Sequence, residues 1–178
     1  IRGKNAPLPE NVPVLRFSEE MPNLEKSRAI VVYDLPERLN QLKAIIQQGH
    51  FEAIYFKNEI AQPYYLTGFG TRDQFAKLYR TIYQFPEFDI RYKLKELAAY
   101  LKIDPILLIK MIQIFEELDF VTIQDGVMQV NKKAEKKAIE NSHIYQELKK
   151  TVKEQELMAL GTVQEIYDYL IEKDEFSN

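Results

Sequence analysis

Phe120-Val121-Thr122-Ile123-Gln124-Asp125-Gly126-Val127-Met128-Gln129-Val130 reads as two β-rich runs joined by a tight turn, and it decides how the second half of the chain is organised. Asp-Gly is the strongest short hairpin signal, because both central positions of such a turn need positive φ. Just upstream, Asp104-Pro105 places an N-cap before a proline at the first helical position, opening a helix to about Leu118. Three residues earlier another helix ends, one that Asp89 can cap and that carries Leu94, Leu97, Ala98 and Leu101. Before that, Thr71 with Gln74 forms a capping box ahead of Phe75, Leu78, Tyr79 and Ile82, so a helix is expected over 72–84, closed by Phe85-Pro86. Helix, helix, helix and two-stranded wing is the order of a winged helix-turn-helix.

Toward the N-terminus the grammar is that of an α/β sheet. Short β-rich runs at Val12–Phe17, Ala29–Asp34 and Ala53–Lys57 are interrupted by Leu35, Leu39, Leu42 and Ile46. Those four form one stripe of a helix starting near Pro36 and ended by Gly49. The nearly unbroken apolar run Ile30–Tyr33 suits a central parallel strand covered on both faces. Beyond Asn131 the pattern is helical and amphipathic. Val163, Ile166, Tyr167, Leu170 and Ile171 follow a Thr162…Glu165 capping box, so the last helix should dock, and Asp174 to Asn178 should fray. The expected fold class is α/β, with a small open parallel-type sheet module, a winged-helix-like module and C-terminal amphipathic helices. The expected domains are an α/β (Rossmann-like) module over 1–84, a winged-helix-like module over 85–131, and a helical segment over 132–178 packing on the rest.

The 178 residues are 46% hydrophobic, enough for a real core, and 24 Lys+Arg against 27 Asp+Glu leave a net charge of −3. That balance excludes the overall positive field of a histone-like coat, so any nucleic-acid contact must come from a local patch. With no cysteine there is no disulfide, thiolate metal site or cysteine nucleophile. No membrane span or signal-peptide core is legible, and the expected localisation is cytoplasmic. The chain begins at Ile1 rather than Met, as a piece of something larger would.

Catalytic groups are sparse. His50 and His143 lie in no metal-ligand spacing, and both are expected on the surface. Glu19-Glu20 and Glu116-Glu117 are adjacent pairs that do not face each other on a helix, so a solvated face is the expectation. Gly68-Phe69-Gly70-Thr71-Arg72 offers backbone N–H groups before a helix, but the full phosphate-binding fingerprints are missing and a Thr-capped turn is the plainer reading. Asp34, at the carboxyl end of a strand, is an ordinary turn residue unless that crevice holds a phosphate ligand. No catalytic or metal residue is assigned.

The helix over 105–118 is a poor groove reader. Residues 86–130 carry five cations against eight anions, and that helix opens Pro105-Ile106-Leu107-Leu108 where groove readers place Arg, Lys, Asn or Gln. Being apolar nearly all round, it should be buried on most sides or docked on protein, with Ile109 and Ile112 in the core. The nucleic-acid-binding candidates are instead Lys132, Lys133, Lys136 and Lys137, two i,i+4 pairs just beyond the wing, with Lys149, Lys150 and Lys153 as possible additions and Tyr145 for stacking. Arg72, Lys77 and Arg80 form a weaker second patch. Glu135, Glu140 and Glu147 interrupt the lysines, which keeps an ordinary solvated face in contention.

Ala29-Ile-Val-Val-Tyr-Asp-Leu-Pro36, Ala53-Ile-Tyr-Phe-Lys-Asn58, Tyr64-Tyr-Leu-Thr-Gly-Phe-Gly-Thr-Arg72 and Phe115-Glu-Glu-Leu-Asp-Phe-Val121, in this order, resemble the C-terminal domain of the single-strand-specific DNA exonuclease RecJ of streptococcal-type Gram-positive bacteria. The resemblance covers essentially the whole chain. It implies an accessory region of a hydrolase that degrades single-stranded DNA 5′ to 3′ in recombination and repair, with Mg²⁺ or Mn²⁺ in an upstream core. The core's Asp-His-His triplet has no counterpart here, so no cofactor is expected in this chain and it alone is expected to be inactive. Implied partners are the upstream nuclease core, single-stranded DNA, and single-strand-binding or other repair proteins, with no membrane. The alternatives are a free-standing winged-helix DNA-binding regulator, which needs a cationic recognition helix, and a small enzyme built around Asp34 and Gly68–Arg72.

Overall fold

The computed structural model describes residues 28–34, 39–60, 63–85 and 87–171. The run Val12–Phe17, the helix start near Pro36, the Asp34 side chain and the tail from Asp174 lie outside what is described. In chain order the elements are β1 (Ala29–Asp34), α1 (Leu39–Gln48), β2 (Ala53–Glu59), α2 (Tyr64–Thr67), α3 (Arg72–Gln84), β3 (Glu87–Asp89), α4 (Ile90–Leu101), α5 (Pro105–Glu117), β4 (Val121–Gln124), β5 (Val127–Val130), α6 (His143–Leu160) and α7 (Val163–Ile171), with a 3₁₀ turn at Ile139–Asn141 before α6. The fold is mixed α/β. Two compact units emerge, one drawn from residues 1–63 and 153–178, the other from 64–152.

In the first unit β1 and β2 pair in parallel, Ala29 beside Ala53 and Val32 beside Phe56. Period-2 alternation sends Ile30 and Val32 into a core with Leu42, Ile45, Met158 and Leu170. The intervening residues do not follow: Val31 and Tyr55 are exposed. The expectation of a strand covered on both faces therefore fails for the described residues, because an unbroken apolar run does not by itself report two covering layers. Buried Glu154 accepts the Leu39 N–H at 3.4 Å and the Tyr169 hydroxyl at 2.6 Å, while the Lys43 ammonium lies 4.3 Å from the centre of the Tyr169 ring. Helix α7 starts at the expected capping box, the Glu165 carboxylate accepting the Thr162 N–H at 2.7 Å and the Thr162 hydroxyl accepting the Glu165 N–H at 3.2 Å. It docks through Ile166 and Leu170, but Val163, Tyr167 and Ile171 stay exposed, so its buried face is narrower than the sequence stripe.

In the second unit β3, β5 and β4 form an antiparallel sheet with β5 in the centre. Asp125 and Gly126 both have positive φ, 48° and 76°, the turn geometry that Asp-Gly supplies. Strand β3, which no local sequence signal announces, is three residues long and ends on Asp89, whose carboxylate caps α4 through the Arg91 N–H. Asp104 caps α5 as expected, accepting from Ile106 and Leu107. Helix α3, grouped with the first module when 84/85 is taken as a boundary, contributes Phe75, Leu78 and Ile82 to a core shared with α4, α5, Met128 and Leu148. On α5, Ile112 is buried at 3% exposure but Ile109 is 41% exposed, so the expectation of two core isoleucines holds for one. The exposed side of α5 carries Ile106 and Ile109. No helix among the described residues is long and apolar enough to cross a membrane.

Candidate nucleic-acid interface

The lysine-bearing segment after β5 is not a helix. Residues 131–138 run as turn and irregular chain before the 3₁₀ turn at Ile139–Asn141. Asn131 sets this course. Its side-chain oxygen accepts the Lys133 N–H at 3.1 Å, its amide donates to the Asp119 carbonyl at 3.0 Å, and its own N–H donates to the Phe120 carbonyl at 2.9 Å. Such a local side-chain turn competes with helix formation, and it wins here. Lys132 and Lys136, or Lys133 and Lys137, therefore do not form the i,i+4 pairs of a helix face.

The seven candidates have different surroundings. Lys133, Lys136 and Arg80 are exposed, and none makes an ion pair with a described residue. Lys132 is exposed, with its ammonium 5.9 Å from the centre of the Tyr83 ring. Lys137 is bound to Asp119 at 2.6 Å, Arg72 to Glu140 at 3.3 Å, and Lys77 donates to the Leu101 carbonyl at 3.0 Å. Arg72, Lys136 and Lys137 come together around one cavity of about 550 Å³; the other four do not line it.

That cavity lies between α3, the end of α5 and the segment 134–140, with Phe75, Tyr79, Phe115, Phe120 and Tyr145 among its walls. The rings meet mostly edge to face, Tyr79 against Phe115 and Phe120 at 6.0 and 5.9 Å and Phe75 against Tyr145 at 5.9 Å. Tyr145 is only 9% exposed, so it cannot act as the surface stacking platform the sequence suggested. Burial pushes its phenol pKa up and the Glu140 charge adds to this, with Arg72 opposing. Glu140 sits below the usual carboxylate range, held there by its own backbone N–H and then by the Arg72 guanidinium. Sequence patterning placed Phe75, Tyr79 and Phe115 on helix stripes, Phe120 in a strand and Tyr145 as a stacking candidate, but could not show that they converge on one space, which is a tertiary property.

The remaining carboxylates of interest are structural. Glu117 accepts the N–H groups of His143 at 3.0 Å and Ile144 at 3.1 Å, and the Ser142 hydroxyl donates to it. Burial works to raise its pKa, but these hydrogen bonds from Ser142, Ile144 and His143, with the His143 charge, hold it below the ordinary glutamate value. The adjacent pair Glu116-Glu117 is thus not one solvated face: Glu117 caps α6. Asp89 is lowered chiefly by its Arg91 hydrogen bond, and Glu165 by the Thr162 N–H. The Gly68–Arg72 turn is closed by its own Thr71–Gln74 capping box, at 3.2 and 2.8 Å. His50 and His143 are exposed. Among the described residues no three His, Asp or Glu side chains converge as a metal site.

The family model described as single-strand DNA-specific exonuclease, C terminal domain, matches residues 8–170. The single-stranded-DNA-specific exonuclease RecJ of Bacillus subtilis is 26% identical over 141 residues, which is 79% of this chain but only 18% of that relative. No solved structure matches the chain.

Proposed function

From the premise that this chain belongs to the family of C-terminal domains of single-strand DNA-specific exonucleases, we propose that it is an accessory, non-catalytic region of a 5′ to 3′ exonuclease of DNA recombination and repair, and that it holds the single strand beside the nuclease core. The observation that carries this reading is the grouping of Lys132, Lys133 and Lys136, exposed and outside any ion pair among the described residues, on one short non-helical segment. A segment of this kind can track a phosphate backbone. The order α3-β3-α4-α5-β4-β5, with β5 central in the sheet, supports a winged-helix-like module. Exposed Ile106 and Ile109 on α5 favour a protein contact there, with the nuclease core or a single-strand-binding or other repair protein, over entry into a duplex groove. This also weighs against a free-standing winged-helix regulator. Glu117, Glu165, Asp89 and Glu140 serve as caps or ion-pair partners. In this reading the parent's Mg²⁺ or Mn²⁺ belongs to the core, and the protein works in the cytoplasm.

Titration of the chain with a fluorescent single-stranded oligonucleotide at several salt concentrations tests the proposal. Three unpaired lysines on three phosphates give log K against log salt a slope of about −0.7 × 3, or roughly −2, for a single strand. Lys137 and Arg72 add to this only by leaving Asp119 and Glu140. Changing Lys132, Lys133 and Lys136 to glutamine should flatten the slope and weaken binding; coincident slopes and affinities would make the segment ordinary surface.

A further inference from the structure

The cavity beside the lysine segment has features that phosphate binding leaves unused. Its volume, about 550 Å³, lies within the range of small-ligand sites. Phe75, Tyr79, Phe115 and Phe120 give it an aromatic side, with Tyr145. Tyr145, more than nine-tenths buried, lines it with a hydroxyl that makes no hydrogen bond to any described residue. A phenol hydroxyl both donates and accepts, so it can bond the polar edge of a group that enters the cavity. Arg72 and Glu140, 3.3 Å apart, put a guanidinium donor and a carboxylate acceptor at the same space.

We propose that this cavity receives one unstacked base of a bound single strand, a site that rests on the single-strand reading above and deepens it. The half-buried rings of Tyr79 and Phe120 can meet the flat π-face of a base, and recognition of single strands commonly combines such stacking with hydrogen bonds to the base edge. The Tyr145 hydroxyl, Arg72 and Glu140 supply donors and an acceptor for that edge. Lys136, on the wall formed by residues 134–140, supplies a cation where the phosphate attached to the flipped base would run. An apolar side chain from a peptide would fill the aromatic space but make no hydrogen bond to the Tyr145 hydroxyl. Purine or pyrimidine edges satisfy both requirements.

The test compares two ligands on the whole chain: a short fluorescent oligodeoxythymidylate and an abasic phosphodiester chain of equal length. The wild type should prefer the base-bearing strand by about five-fold or more. Ala138→Trp, at an exposed position on the cavity wall, should bring the two affinities together. Tyr145→Phe should reduce the preference partway, and Lys136→Gln should weaken both ligands. Equal binding of the two strands by the wild type overturns the base site and leaves the lysine reading standing. An unchanged preference in Ala138→Trp also overturns it. Failure of the wild type to bind either strand overturns the single-strand reading itself. Displacement of the oligonucleotide by an acidic peptide bearing one aromatic side chain, lost in Ala138→Trp, assigns the cavity to a protein partner instead and overturns the proposal.

Discussion

Removing the Glu117 carboxylate should cost the second unit far more than removing its neighbour's. The structure gives Glu117 three donors: the His143 and Ile144 N–H groups at the start of α6, and the Ser142 hydroxyl. Ser142 is fully buried, and its oxygen in turn accepts the Tyr145 N–H at 3.0 Å, so the carboxylate closes a chain of bonds joining the end of α5 to the first turn of α6. Glu117→Ala deletes a cap worth about 0.5–2 kcal/mol and strands a buried hydroxyl donor at a further cost of about 1–3 kcal/mol. A total near 2–4 kcal/mol is expected, since the two losses share one network and do not add fully. Glu116→Ala is the control: Glu116 is exposed and its side chain has no partner among the described residues. Urea denaturation followed by helical circular dichroism reads both. The pH dependence is a second check. Because the folded pKa of Glu117 is depressed, its contribution is fully present above the ordinary glutamate value of 4.5 and is lost as pH falls through the lower folded value. The gap between wild type and Glu117→Gln should therefore narrow in acid below about pH 4.5. Equal stabilities for Glu116→Ala and Glu117→Ala at neutral pH would refute the capping argument.

Four other substitutions probe the second unit by the same urea denaturation. Ile112→Ala should destabilise by about 2–5 kcal/mol because the side chain is buried, whereas Ile109→Ala, at a site 41% exposed, should cost well under half as much. Gly126→Ala places a side chain at φ 76° in the hairpin turn and should cost about 1–2 kcal/mol, seen as a lowered denaturation midpoint. Thr71→Ala opens the capping box of α3 and should cost about 0.5–2 kcal/mol; no loss would mean the Gly68–Arg72 turn is held by something other than its own cap.

Local chemistry was the legible part of this fold. Asp125-Gly126, Asp104-Pro105, Thr71…Gln74 and Thr162…Glu165 each state a turn or cap in a few adjacent residues, and each appears where the sequence placed it. What failed depended on neighbours distant in sequence. Ile109 and Ile112 are equally apolar, and only the packing of α5 decides which of them is buried. Val31 sits in an apolar run identical in character to a doubly covered strand, yet it is exposed. Strand β3 exists because Glu87, Phe88 and Asp89 find Gln129, Met128 and Val127 across β5, a pairing no three-residue window can announce.

The candidate site divides along the same line. Lysine spacing located the segment but gave it the wrong backbone, because periodicity is blind to a single Asn131 whose side chain captures the Lys133 N–H and reaches Asp119. The consequence is functional as well as geometric. On a helix the four lysines would have stood in two equivalent pairs, each with similar access to a phosphate. In the irregular segment Lys136 and Lys137 both line the aromatic cavity, Lys137 also pairs with Asp119, and Lys133 stays exposed away from it, so residues of one type have three different surroundings. Charge counting treats them alike and predicts only a grip on the backbone. The fold distinguishes them: Lys133 and Lys136 stand exposed, Lys136 also lines the aromatic cavity, and Lys137 is held in an ion pair.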